Sequence, residues 1–185
     1  EQLAELMVGR KVLLQIEKKA PQVGKSVLAC HKLNYTDDKG VHRLKDISFN
    51  VNQGEILGIA GVAGNGQSEL LEVLTGIKRA KGEIEINSKK VSLDSSESNP
   101  LTRRHLGISH VPEDRQKLGL IMDFYAWENM ALGYHDKEKY KKNGFLIDNE
   151  QLKLETEKRM EHFDIRPRNV FLPAKNFSGG NQQKI

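Results

Sequence analysis

The sequence has 185 residues and a mild positive charge, with 29 Lys and Arg against 25 Asp and Glu. A hydrophobic share of 37% and a charged share of 29% are typical of a soluble globular domain, not of a disordered chain. No apolar run approaches the roughly 18 residues of a membrane span, no signal peptide is evident, and the charge is too scattered to indicate nucleic acid binding. The single cysteine, Cys30, excludes an internal disulfide. It is expected to be a buried small hydrophobe in a reducing, cytoplasmic setting.

The first half of the chain is rich in strand patterns. Residues 1–26 indicate a short helix followed by a polar linker, and several short apolar or alternating runs come after them. The run Ile56-Leu57-Gly58-Ile59 is uniformly apolar, as in a central strand that is buried on both faces. Strands are expected at 27–33, 47–51, 56–59, 84–86 and 106–111.

Two stretches carry the period of an amphipathic helix. The first begins after the glycine-rich residues 61–66 and ends near Gly76. The second covers much of 120–176, where Asp148 and Gln151 resemble a capping box. The predicted fold class is therefore α/β, with a mixed core and a mostly helical insertion. The helix residues expected to share a face are Leu70, Leu71 and Leu74 in the first stretch and Leu152, Thr156, Met160 and Phe163 in the second.

The segment Gly61-Val62-Ala63-Gly64-Asn65-Gly66-Gln67-Ser68 lies between an apolar run and a helical pattern. A phosphate loop has that context and the order glycine, four residues, glycine, lysine, then serine or threonine. Both glycines and Ser68 match, whereas Gln67 stands at the lysine position. Glycines let backbone N–H groups point at phosphate oxygens, the following helix favours the same anion, and the Ser68 hydroxyl can ligate Mg²⁺.

Gln67 changes what such a loop can do. A lysine would bring a full positive charge to the β- and γ-phosphates, whereas a glutamine amide donates neutral hydrogen bonds that are roughly half as strong. We therefore expect nucleotide binding to be weakened and hydrolysis in this pocket to be poor. On this motif alone, a glycine-rich turn without a ligand is the alternative.

Two further motifs resemble those of the ATP-binding-cassette (ABC) ATPases. Residues 177–184, Phe-Ser-Gly-Gly-Asn-Gln-Gln-Lys, resemble the signature motif, which usually begins Leu-Ser-Gly-Gly. Ser178 can cap a helix there, and the glycines allow a phosphate to approach the backbone. Residues 108–115 resemble the Q-loop region, with Glu113 in place of the usual glutamine. The alternatives are a capped turn between helices and a polar loop after a strand.

Together the motifs are similar to one branch of that family, the second ATPase domain of tandem ATP-binding subunits in bacterial sugar and nucleoside importers. The nucleoside type is the nearest and the ribose type comes next. Residues 6–10 resemble the end of the first ATPase domain of such subunits. The segments that carry the resemblance are 64–70, 112–115 and 178–184.

The resemblance implies an ABC-type phosphate-loop core, whose mixed sheet has an antiparallel part, and a helical subdomain. It also implies that the fold is incomplete at the C-terminus, because the family's Walker B strand and histidine switch come after the signature. The chain alone is therefore expected to be inactive as an ATPase, with an apolar face that is either exposed or covered by another chain. The implied divisions are 1–26, end of the preceding domain and linker; 27–119, core; 120–176, helical subdomain; and 177–185, signature motif and start of its helix.

The ligands implied by the resemblance are ATP and Mg²⁺. Tyr35 would stack on adenine, although a strand-end tyrosine on the surface is the alternative. Ser68 and Glu113 would ligate Mg²⁺. The implied nucleotide-binding residues are Tyr35, Gly61, Val62, Ala63, Gly64, Asn65, Gly66, Gln67, Ser68 and Glu69, and the signature residues, which act on the opposite site, are Ser178, Gly179, Gly180, Asn181 and Gln182.

The implied partners are a preceding ATP-binding domain of the same polypeptide, transmembrane permease subunits and, indirectly, a solute-binding lipoprotein. These place the protein at the cytoplasmic face of the bacterial plasma membrane. Trp127 resembles the segment near the permease, and a core aromatic is an equal alternative. The rival function is a non-catalytic regulatory or interaction module that has lost nucleotide binding. A DNA-repair or translation ATPase is disfavoured, since there is no basic arm.

Overall fold

The computed structural model describes residues 22–94 and 98–185. The described part of the chain forms two compact units, residues 22–73 with 79–94 and residues 74–78 with 98–185. The helix expected near the start of the chain and the resemblance at residues 6–10 lie outside the described residues.

The first unit is built on a four-stranded antiparallel sheet in the order β2-β1-β3-β4. Cys30 on the central strand β1 pairs with residues on both neighbours and is buried, as predicted. Ile84 and Ile86 are buried while Glu83 and Glu85 are exposed, which confirms the alternation seen in the sequence. The strands are β1 (Ser26–Thr36), β2 (His42–Asn52), β3 (Lys81–Ile86) and β4 (Lys89–Val91).

The predicted buried strand at 56–59 is wrong. Residues 55–62 follow β2 without regular structure, and the Ile56 side chain is 88% exposed. Leu57, Ile59 and Val62 are exposed as well. A strand needs a hydrogen-bonding neighbour, and no strand among the described residues pairs with this run.

Helix α1 (Gln67–Leu74) begins directly after the glycine-rich residues, as predicted. Its buried residues are Leu70 and Val73, whereas Leu71 is exposed, so the predicted face is rotated toward Val73. Gly76 follows the helix with a φ of +78°, and a Cβ there would lie 2.9 Å from the carbonyl oxygen of Asn99. A positive φ and this close approach both require glycine, which agrees with its predicted role at the helix end.

The regular structure of the second unit is mainly helical, but the unit contains more irregular backbone than its sequence pattern predicts. Residues 106–111, predicted as a strand, have no strand structure and no partner among the described strands. The elements are α2 (Pro100–His105), a π-turn (Arg115–Gly119), α3 (Ala126–Ala131), a 3₁₀ turn (Glu138–Tyr140), the hairpin β5 (Lys141–Lys142) and β6 (Leu146–Ile147), α4 (Asn149–His162), a second 3₁₀ turn (Ala174–Asn176) and α5 (Gly179–Lys184).

Helix α4 packs on the core of the second unit. Asp148 accepts a hydrogen bond from the Gln151 N–H at 3.0 Å, which is the N-terminal half of the predicted capping box. Leu152, Thr156 and Met160 are buried, as predicted, but Phe163 is exposed because it caps the helix, where the chain leaves the helical path. Trp127 packs against both hydrophobic clusters of this unit, which supports its reading as a core aromatic.

Candidate nucleotide-binding site

The glycine-rich loop belongs to the first unit and leads into α1. Gly64 and Gly66 have φ values of +87° and +101°, a region that side chains disfavour. A Cβ at Gly64 would meet no atom within 4 Å, whereas one at Gly66 would lie 2.5 Å from the carbonyl oxygen of Arg43. The backbone therefore opens to solvent at Gly64 and lies directly on β2 at Gly66.

Gln67 reaches back across the loop. A Cβ at Gly61 would overlap Gln67 Nε2, so the amide group lies over the first glycine of the motif. A side chain that folds this way can present a donor to a ligand held by the loop. The donor is a neutral amide, which is the weakness predicted from the sequence.

The loop fits a phosphate group. Residues 61–65 are exposed, Gly64 has open space beside it, and α1 presents its N-terminus with the exposed hydroxyl of Ser68 in its first turn. Within residues 22–94 and 98–185, no three acidic, histidine or cysteine side chains lie close enough together to hold a metal ion. Mg²⁺ at Ser68 would therefore take most of its ligands from phosphate and water, as this ion commonly does.

Glu69 places a carboxylate in the same helical turn. Its Oε1 lies 3.9 Å from Arg43 Nε, and Arg43 in turn donates to Asp37 Oδ2 at 2.8 Å. The hydrogen bond from Arg43 is the main cause that lowers the pKa of Asp37, so the pair is ionised at neutral pH. The sequence motifs do not point to Arg43, and the missing loop lysine is the one signal that invites a search for another cation.

Tyr35 and the loop are both next to Leu44. Leu44 is the cross-strand partner of Tyr35, and its Cδ2 would lie 3.3 Å from a Cβ at Gly66. Tyr35 is half-buried and lines a surface hollow with Arg79 and Lys81. An aromatic face beside cationic side chains fits a purine with attached phosphates.

The Q-loop position lies in the second unit. Glu113 is exposed and makes no hydrogen bond among the described residues. Asp114 starts the π-turn by accepting from the Lys117 N–H at 3.1 Å. Gln116 Nε2 donates to Gln182 Oε1 at 3.1 Å, and a Cβ at Gly179 would lie 2.6 Å from Arg115 Nη2. The structure thus joins the Q-loop segment to the signature segment.

Ser178 is the N-cap residue of α5, but its hydroxyl makes no capping bond to the backbone. It accepts instead from Asn181 Nδ2 at 2.9 Å, which corrects the predicted capping role. Asn181 also accepts from the Arg166 N–H. Gln182 is buried, and its amide donates to the carbonyl oxygens of Ala174 and Phe177. Gln182 therefore holds the segment in place, while Ser178 and Gly180 are exposed.

Comparison with known proteins identifies the class of protein. A family model described as ABC transporter matches residues 44–185, and the chain therefore belongs to the ABC transporter family. The fold agrees with several solved ATP-binding cassettes. One is cbiO1 from Clostridium perfringens, at a TM-score of 0.64 and 20% identity, covering 86% of this chain and 59% of that one. Another is the cassette MJ0796 bound to ADP and Pi, at 0.63 and 22%, covering 85% and 66%.

Sequence relatives narrow the similarity to import proteins. The guanosine import ATP-binding protein NupO of Bacillus subtilis is 40% identical over all of this chain, which covers 35% of that protein. The nucleoside import ATP-binding protein NupA of Lactococcus lactis is 38% identical, with 100% and 36% covered. The ribose import ATP-binding protein RbsA of Clostridium tetani is 35% identical, with 100% and 34% covered. The chain thus spans about a third of their length. Among the described helices, none has the length and apolar character of a membrane span.

Proposed function

We propose that this chain is the first part of the second nucleotide-binding domain of a tandem ATP-binding subunit that drives import of a nucleoside or a simple sugar. A nucleoside is the preferred solute, because the relatives at 40% and 38% identity are named for guanosine and nucleoside import. Its partners would be a preceding ATP-binding domain, permease subunits and, indirectly, a solute-binding lipoprotein, at the cytoplasmic face of the plasma membrane.

The observation that carries the proposal is the contrast between the two anion-binding motifs. The loop has the backbone of a phosphate site but a neutral amide at Gln67. The signature keeps Ser178, Gly179 and Gly180, and its serine hydroxyl and last glycine are open to solvent. In this arrangement the loop binds ATP with Mg²⁺ weakly and cycles poorly, while the signature completes a competent site on the preceding domain.

Each group has a defined task. Backbone N–H groups of the loop bind the phosphates, Gln67 adds neutral hydrogen bonds, and Ser68 orients the metal ion. Tyr35 supplies the face on which adenine stacks. Bound ATP supplies the phosphoryl group and the binding energy for closure of the two domains.

Calorimetric titration of Mg-ATP and Mg-ADP into the chain tests the loop. Gln67→Lys should tighten ATP binding by about tenfold, since it restores a charge-assisted contact to phosphate. Gln53→Lys adds the same charge at an exposed turn residue and is the matched control. Equal effects of the two variants would mean that Gln67 does not face bound phosphate.

The signature is tested by its effect on another domain. Ser178→Arg in the full-length protein should reduce the ATPase rate by about tenfold or more, because a bulky cation would block the phosphate-facing edge of the motif. Lys175→Ala, on the exposed turn that precedes the signature, is the control. An unchanged ATPase rate in Ser178→Arg would contradict the proposed division of labour.

The second candidate is a non-catalytic regulatory or interaction module, favoured by Gln67 and Glu113 at positions that face phosphate or metal in the family. It predicts no measurable nucleotide binding by a folded chain, with or without Gln67→Lys. Transport assays in cells that lack their own nucleoside importers would then separate a regulatory role from a transport role.

A further inference from the structure

Arg43 lies against the phosphate loop although it precedes Gly64 by 21 residues. Its Nη1 donates to the Gly64 carbonyl oxygen at 3.3 Å. Its own carbonyl oxygen lies beneath Gly66, where an added Cβ would come within 2.5 Å. Both the side chain and the backbone of this β2 residue are therefore fixed beside the loop.

The loop itself lacks positive charge. Residues 61–70 contain one ionised side chain, the carboxylate of Glu69, in the helical turn where phosphate is expected. An uncompensated carboxylate there would repel a polyphosphate. Arg43 Nε, 3.9 Å from Glu69 Oε1, offsets that charge.

The Arg43 guanidinium has more N–H donors than its hydrogen bonds to described residues use. It carries five N–H groups, of which the hydrogen bonds among the described residues use two. Arg43 Nε donates to Asp37, whose carboxylate also accepts from the N–H groups of Lys39 and Val41 and competes with a phosphate for the guanidinium. The Arg43 side chain is 32% exposed, so a ligand can reach the remaining N–H groups from solvent.

We propose that Arg43 supplies, from the neighbouring strand, the positive charge that Gln67 does not. It compensates Glu69, and its remaining N–H groups bind phosphate oxygens of a nucleoside diphosphate or triphosphate, a geometry for which arginine is well suited. The inference rests on the proposed nucleotide binding by the loop and adds a phosphate-binding residue outside the motif.

Calorimetry with Mg-ATP on the whole chain tests the role of Arg43. Arg43→Gln should weaken binding by about tenfold, and Arg43→Lys, which keeps the charge, should recover part of the loss. Lys45→Gln removes one positive charge from an exposed site on the same strand and should change the affinity by less than about twofold.

Salt dependence separates a charge effect from a structural one. Raising the salt concentration should weaken ATP binding to the wild type and to Lys45→Gln, and should weaken it less in Arg43→Gln, because screening acts on the removed contact. A purely structural role would lower the affinity of Arg43→Gln without changing its salt dependence, and that result would overturn the inference.

If circular dichroism shows that Arg43→Gln is unfolded, Asp37→Asn provides a second test of the inference. Asp37→Asn keeps an oxygen for the backbone N–H groups but removes the carboxylate that competes for the guanidinium, so ATP should bind more tightly. Unchanged or weaker binding by Asp37→Asn overturns the inference. If the wild type binds ATP and Arg43→Gln binds it equally well, this inference alone falls. If the folded wild type binds no nucleotide, the proposed function falls with it.

Discussion

At the scale of single residues, the surroundings of the loop decide how much each glycine matters. Gly64 and Gly66 both have a positive φ, but only Gly66 lies against the backbone of another strand. The sequence motif treats both as loop glycines. The difference between them depends on Arg43, which the motif does not contain.

Alanine substitutions should separate these two constraints. Gly66→Ala should lower the free energy of unfolding by about 3 kcal/mol, because it adds a contact of 2.5 Å to an unfavourable φ. Gly64→Ala has the unfavourable φ but open space and should lower it by about 1 kcal/mol. Urea unfolding measures both, and equal losses would show that the contact with Arg43 adds nothing.

Cys30 gives a prediction that depends on pH. Burial raises the pKa of its thiol to about 12, from an ordinary 9.0. Iodoacetamide at pH 8 should therefore alkylate the folded chain about a thousandfold more slowly than the chain in urea. The folded state binds the proton more tightly, so stability is unaffected below pH 9 and falls as the pH rises above it. Equal alkylation rates in the two states would refute the burial of this thiol.

At the scale of elements, local signals predicted helix starts better than helix faces. Asp148 was recognisable because an N-cap needs only a side-chain oxygen and a backbone N–H three residues on. The face of α1 was predicted incorrectly, since a helix of eight residues with leucines on several sides leaves the choice to its neighbours. Phe163 was assigned to the core for a similar reason, because periodicity does not indicate where the helix ends.

Helix α4 provides a matched pair of substitutions. Met160 is 1% exposed in a hydrophobic cluster, and Met160→Ala should lower the free energy of unfolding by about 3 kcal/mol through the cavity it leaves. Leu154 is exposed on the same helix, and Leu154→Ala should change it by less than about 0.5 kcal/mol. Chemical denaturation of the two variants tests this difference in burial. A larger loss of stability in Leu154→Ala than in Met160→Ala would contradict it.

At the scale of the whole molecule, the apolar run after β2 is the main departure from the expected architecture. Ile56 is 88% exposed, whereas Ile84 on β3, of the same residue type, is 1% exposed. Residue type alone therefore does not predict which of the two isoleucines is buried. Ile84 lies on β3, which pairs with β1 and β4, whereas Ile56 lies in a run that pairs with no described strand.

Serine substitutions at these two isoleucines should therefore have very different effects. Ile84→Ser should lower the free energy of unfolding by at least about 3 kcal/mol, because it leaves a cavity and buries a hydroxyl. Ile56→Ser should change it by less than about 0.5 kcal/mol. If Ile56→Ser were as damaging as Ile84→Ser, the run would be buried as the sequence pattern predicts, and the exposed conformation would be wrong.

The sequence alone determined the class of fold, the phosphate-loop and signature segments and the start of the helix after the loop. These features depend on residue types at fixed short spacings, where glycine, a hydroxyl or an apolar period acts locally. Only the tertiary structure decided the exposure of Ile56, the hydrogen bond between Gln116 and Gln182 and the contact of Arg43 with the loop. Each of these depends on residues distant in the sequence, and such contacts arise only once strands pair and helices pack.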